Sequence, residues 1–135
     1  MIFDCGKLRV GPLRPGMSRT EVRALLGAFS EFRKSESSEN STDDFQPVGV
    51  HAYYDALNII KGAEIFRGNK VLVEDVDILS SDFRGALERL SKQGVRYKEI
   101  DSGVELVDFG VRLYVPDIYD VEKPSVEAVY VLLKE

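Results

Sequence analysis

The sequence predicts an α+β fold: one antiparallel sheet with two short helices on one side, built from a duplicated helix-then-strands unit. Three observations predict it. Two segments at helical spacing carry their own start and stop signals, near residues 18–27 and 80–94. Each is followed by short stretches that alternate apolar and polar residues with a period of two, the mark of half-buried strands. The pattern G-V-x-x-Y occurs twice, 61 positions apart, at Gly49-Val50-His51-Ala52-Tyr53 and Gly110-Val111-Arg112-Leu113-Tyr114. Parallel βαβ units are not expected, because two helices are too few to make the crossovers.

The first helix has the clearest local signals. Ser18 and Glu21 form S-x-x-E, a capping box in which each side chain satisfies the other's free backbone N–H. Met17 and Val22 are placed for a hydrophobic staple, while Val22, Leu25 and Leu26 form the apolar stripe. Gly27 supplies the stop. Before this helix, Gly11-Pro12 and Pro15-Gly16 mark turns around an extended entry segment. After it, residues 29–34 read as a strand and 35–44 as a polar, serine-rich hairpin loop, with a short strand at 44–46. Residues 51–55 and 56–66 alternate as strands. Val50, Ala52 and Tyr54 share one face, opposite His51, Tyr53 and Asp55; Leu57, Ile59, Ala63 and Ile65 share a face of the next strand. A further strand is expected at 71–76, after the turn Arg67-Gly68-Asn69-Lys70.

The second unit opens at Ser80-Ser81-Asp82, any of which can cap a helix. Phe83, Ala86, Leu87 and Leu90 recur at helical spacing, and Gly94 ends the helix. Strands at 95–100 and 104–109 bracket the turn Asp101-Ser102-Gly103, and 110–115 is the next strand. A nine-residue loop, 116–124, separates it from a closing apolar strand at 125–133. The apolar segment around Ala63 in the first unit is matched to the one around Ala128 in the second. The 135 residues are expected to form a single domain, with pseudo-repeats at about 10–76 and 77–135.

Composition removes several function classes. Hydrophobic residues make up 44% and charged residues 30%, which describes a chain with a core rather than a disordered one. No apolar run approaches the about 20 residues that span a bilayer, so no membrane role is expected. The segment Met1–Cys5 has no basic or long apolar region, so no signal peptide is expected, and the expected compartment is the cytoplasm. The single Cys5 cannot pair within the chain and reads as a free thiol. The net charge of −5 is uneven. Residues 1–34 hold seven basic and three acidic side chains, and residues 35–135 hold eleven basic and twenty acidic. Most of the chain would therefore repel phosphate, which argues against a nucleic-acid partner and for a basic protein.

At Gly16-Met17-Ser18-Arg19-Thr20-Glu21-Val22-Arg23-Ala24-Leu25-Leu26-Gly27 the chain resembles the helix signature of the beta-lactamase-inhibitor-protein-like and outer-membrane small-protein group. That signature runs glycine, a small capping residue, E-V, two leucines and glycine. The resemblance implies a helical segment followed by an antiparallel sheet, with a tandem repeat of the unit in one branch. The lipoprotein branch carries an export signal and an anchoring cysteine, and the inhibitor branch carries disulfides. This chain shows neither pattern, so the resemblance implies a cytoplasmic relative. In type it is similar to bacterial immunity proteins, which neutralise toxins of contact-dependent growth-inhibition and polymorphic-toxin systems.

Catalytic and metal chemistry find little support. With one His and one Cys no zinc site is expected, and Glu74, Asp75 and Asp77 lack the glycine-bearing calcium loop. His51 could act as a general base, but no nucleophile elbow accompanies it, and no phosphate-cradling glycine loop occurs. No catalytic residue, metal or cofactor is therefore expected. The suggestive feature is Asp117-Ile118-Tyr119-Asp120-Val121-Glu122, an aromatic anchor among carboxylates and apolar side chains. The expected partner-binding residues are Asp117, Tyr119, Asp120 and Glu122, with Asp43 and Asp44 of the serine-rich loop second. The expected function is an immunity protein that blocks the active site of a cognate toxin, a basic nuclease being the expected class. The alternative is a small-molecule-binding or assembly module of the same fold.

Overall fold

A computed structural model describes residues 1–134. The fold is α+β, with an eight-stranded antiparallel sheet and a second, four-stranded sheet. The first helix, α1 (Arg19–Leu26), has the capping box: Ser18 Oγ accepts from the Glu21 N–H, and Glu21 accepts from the Ser18 N–H, each at 3.2 Å. Its buried side chains are Val22, Leu26 and, unexpectedly, Arg19, while Leu25 is 49% exposed. The second helix, α2 (Phe83–Lys92), is capped by Asp82, whose carboxylate accepts from the Gly85 N–H. Phe83, Ala86 and Leu90 face the core as expected, and Gly94 follows the helix with φ of 82°.

Each helix is followed by four antiparallel strands. After α1 come β3 (Ser30–Phe32), β4 (Thr42–Phe45), β5 (Val50–Tyr54) and β6 (Ile60–Phe66). After α2 come β9 (Tyr97–Ile100), β10 (Gly103–Leu106), β11 (Val111–Tyr114) and β12 (Ala128–Leu132). The order across the large sheet is β3-β4-β5-β6-β12-β11-β10-β9, so the two runs meet at β6 and β12 and the G-V-x-x-Y strands occupy mirrored places. Gly49 and Gly110 precede those strands with φ of 66° and 64°, a left-handed turn that glycine adopts at no steric cost. Their carbonyls accept from the Phe66 and Leu132 N–H groups, both at 2.9 Å. By this pairing Ala63 corresponds to Val129, not Ala128, because Val50 faces Ile65 and Val111 faces Val131.

Boundaries differ where turns take residues from strands. The strand expected at 56–66 starts at Ile60. Asp55 is buried and folds residues 55–59 into a turn, accepting from the Leu57 and Ile59 N–H groups; Leu57 is 81% exposed. Asp55 thus leaves the face it was expected to share with His51 and Tyr53. The serine-rich loop ends sooner than expected, since β4 already begins at Thr42.

The small sheet was not foreseen. Strands β1 (Ile2–Gly6) and β2 (Arg9–Val10) pair with each other, and β1 pairs with β7 (Lys70–Val73), which pairs with β8 (Val76–Asp77). The β1–β7 contact is parallel, the one parallel pairing between named strands among the described residues. Glu74 and Asp75 are the two residues between β7 and β8, both at positive φ, so this acidic run is a tight hairpin turn. Phe3, Cys5, Val71 and Val73 join α1, α2 and one face of the large sheet in a single apolar core. Among the described residues α1 and α2 pack on this one side, and the other face of the large sheet carries neither.

A candidate binding face on the open side of the sheet

Alternation decides which side chains reach the open face. Val50, Ala52 and Tyr54 of β5 point inward, so His51 and Tyr53 point outward; on β11, Val111 and Leu113 are buried, leaving Arg112 and Tyr114 outside. Register then lines them up. Ser30, Asp44, His51, Glu64, Tyr130, Arg112, Glu105 and Lys98 follow one another across all eight strands as directly paired residues.

Much of this row is paired. His51 Nε2 lies 3.3 Å from Asp44 Oδ1, and its ring meets Phe32 and Phe66 edge-on at 5.1 and 4.6 Å between centroids. The Tyr53 hydroxyl donates to Glu64 Oε1 at 2.8 Å, and burial together with the Glu64 charge pushes the Tyr53 phenol well above its usual range. Arg112 and Lys98 flank Glu105, at 3.1 and 3.6 Å. Between Tyr130 and the β9–β10 turn the face sinks into a cleft of about 670 Å³, lined by Lys34, Glu64, Ile100, Asp101, Ser102, Arg112, Tyr114 and Tyr130. A smaller cleft, near 250 Å³, continues past Tyr114 to Ile118, Tyr119 and Asp120. The acidic loop therefore borders the open face.

That loop is pinned rather than loose. Ile118 is buried and its carbonyl accepts from Arg84 of α2 at 3.2 Å. The Tyr119 hydroxyl donates to Glu99 of β9, which also raises the Tyr119 phenol above its usual range. The Tyr119 ring is nevertheless 74% exposed, with exposed Val121 close by in sequence. Asp117, Asp120 and Glu122 are all exposed and form no ion pair among the described residues.

Asp44 and Asp43 part company. Asp44 lies on the open face against His51. Asp43 is fully buried, and the expectation that it meets a partner is corrected: adjacent strand residues point to opposite faces, and this one points inward at α1. Its carboxylate accepts from Arg23 at 2.8 Å through both Nε and Nη2, from Arg19 at 2.9 Å, and from the Tyr54 hydroxyl at 2.9 Å. Burial acts to raise the Asp43 carboxyl, but the hydrogen bonds from Arg23, Arg19 and Tyr54 outweigh it and hold the group below the usual carboxylate range. The hydrogen bond to Asp43, with a second to Glu31, raises the Arg23 guanidinium. Arg19 also stacks over Tyr54, at 4.4 Å. Nothing in the sequence marks Asp43 as different from Asp44 except strand parity, and placing the strand start at Asp44 hid that signal.

Among the described residues no helix is long and apolar enough to cross a membrane. Among the described residues no group of three His, Cys, Asp or Glu side chains could hold a metal ion. No family model, curated protein or solved structure matches this chain.

Proposed function

We propose that this protein is a binding protein of the immunity type, which inactivates a basic toxin domain by presenting carboxylates where the toxin would hold nucleic-acid phosphates. The observation that carries the reading is the 116–124 loop. It is held by Ile118, Arg84 and Glu99, yet it displays an exposed tyrosine among three carboxylates without ion pairs among the described residues. A rigid aromatic anchor loses little conformational entropy on binding, and unpaired charge accelerates encounter with a basic surface. The open face beside it extends the contact area with Tyr114 and Tyr130. Binding is assigned to the cytoplasm, where such a toxin would act.

The test is to titrate a candidate basic nuclease toxin domain with the purified protein. Activity falling to background at one equivalent supports the reading, and full activity at a large excess contradicts it. A second reading, a small-molecule module, is favoured by the cleft near Arg112.

A further inference from the structure

Almost every cation of the large sheet meets a carboxylate, but the cleft between Tyr130 and the β9–β10 turn gathers hydrogen-bond donors that do not. Lys34 forms no ion pair among the described residues; its ammonium reaches only the Tyr53 hydroxyl, at 3.4 Å, and sits 5.0 Å from that ring. Arg112 spends Nε on Glu105, and neither of its Nη groups has an acceptor among the described residues. The hydroxyls of Ser102, Tyr114 and Tyr130 are likewise without acceptors among the described residues, and all five side chains line the one cleft. Two cations and three hydroxyls converging on a single hollow suit an oxyanion, since charge-assisted hydrogen bonds are the strongest available and guanidinium matches carboxylate or phosphate geometry.

The walls select the rest of the ligand. Tyr130 and Tyr114 lie diagonally across paired strands, because Tyr130 faces Arg112 and Tyr114 faces Ala128. Ala128 leaves the space beside them low, and offset aromatic walls accept a flat ring. Gly62 works the same way under Tyr130: a Cβ there would lie 2.1 Å from the Tyr130 hydroxyl, so only glycine lets this ring lie down. Glu64 gives Oε1 to the same Tyr53 hydroxyl that the Lys34 ammonium reaches, and its Oε2 has no donor among the described residues. Asp101 also lines the cleft. These carboxylates would oppose a ligand that is anionic throughout, and they limit the site to one with a single anionic group. A volume of about 670 Å³ is in the range of small-molecule sites.

We infer that this cleft binds a small aromatic acid, with its carboxylate or phosphate held by Arg112 and Lys34 and its ring against Tyr114 and Tyr130. The inference does not depend on a toxin partner.

The test is two-dimensional amide NMR of the whole chain titrated with 4-hydroxybenzoate, phenyl phosphate and methyl 4-hydroxybenzoate. The two anions are expected to shift residues 100–102, 112–114 and 130 in a saturable way, and the uncharged ester to bind about tenfold more weakly or worse. Which anion binds tighter identifies the oxyanion source. Lys34→Gln and Arg112→Gln are expected to cost about tenfold each for the acids while leaving the ester unchanged. Both side chains are exposed, and an unchanged amide spectrum elsewhere verifies that the variants fold. Equal binding of acid and ester, shifts centred away from the cleft, or no saturable shift with any probe would overturn the inference.

Discussion

At one end of the eight-stranded sheet, β3 and β4 are tied to α1 by a buried carboxylate with two arginines. At the other end, β9, β10 and β11 and their flanking residues carry more exposed ion pairs: Arg96 with Asp108 at 2.6 Å, and Lys98 and Arg112 with Glu105. The two kinds of pairing have different consequences. A buried charge is held at the cost of desolvation, and losing one partner strands the others, whereas an exposed pair exchanges readily with water. The first end is therefore specified by its polar network. The second end keeps its charged side chains accessible, and it is this end that borders both the cleft and the acidic loop.

The largest expected effect follows from breaking the buried network. Asp43→Ala leaves Arg19 and Arg23 facing an empty site and is expected to lower unfolding stability by about 3–5 kcal/mol, read by urea denaturation. The pH dependence sharpens this. A carboxyl whose folded pKa is depressed stabilises at pH above the unfolded value of about 4, and that stability is lost as pH falls through the lower folded value. The gap between wild type and Asp43→Asn is therefore expected to close on acidification below about pH 4. A gap that stays constant down to pH 2 would show that packing, not charge, carries the effect.

Next in size is Gly103→Ala. A Cβ at this position would lie 1.8 Å from the Leu113 carbonyl oxygen, which is backbone and cannot swing aside. A loss of about 1–3 kcal/mol is expected, since crowding of a packed site costs that much. Amide exchange should rise first in β10 and β9. Uniform exchange across the sheet would contradict the view that the ends are held separately. Smaller still, Arg96→Ala removes a pair at the exposed end, and its thermal midpoint is expected to match wild type within scan error; a clear drop would erase the contrast. Smallest is Cys5. Burial pushes its thiol up to about 12, with Arg9 opposing, so labelling by a disulfide reagent should occur only as fast as the chain opens. Prompt labelling in native buffer would show the small sheet to be loose.

Both helices were legible because their signals are local: caps, stripe and stop lie within a few residues of one another. So was the shared face of Val50, Ala52 and Tyr54 in β5, from alternation alone. The small sheet was hidden, since β1 finds β7 across nearly half the chain and two short strands give no periodicity of their own. The open-face row was hidden for a related reason. Each of its members is readable as outward-facing, but only register shows that Glu64, Tyr130 and Arg112 are adjacent. Asp43 illustrates the cost of one misplaced boundary: moving the strand start by two residues turns a surface carboxylate into a buried one. The acidic loop was found by composition, and its pinning by Arg84 and Glu99 was not.

We propose that recognition resides in the 116–124 loop, while the sheet and helices serve as its frame. The most direct measurement is a side-by-side titration of a candidate basic toxin domain with wild type and with the Asp117→Lys, Asp120→Lys, Glu122→Lys variant. Wild type is expected to abolish toxin activity at one equivalent, whereas the variant, with an unchanged melting curve, is expected to fail at tenfold excess. Equal inhibition by the two proteins would contradict it.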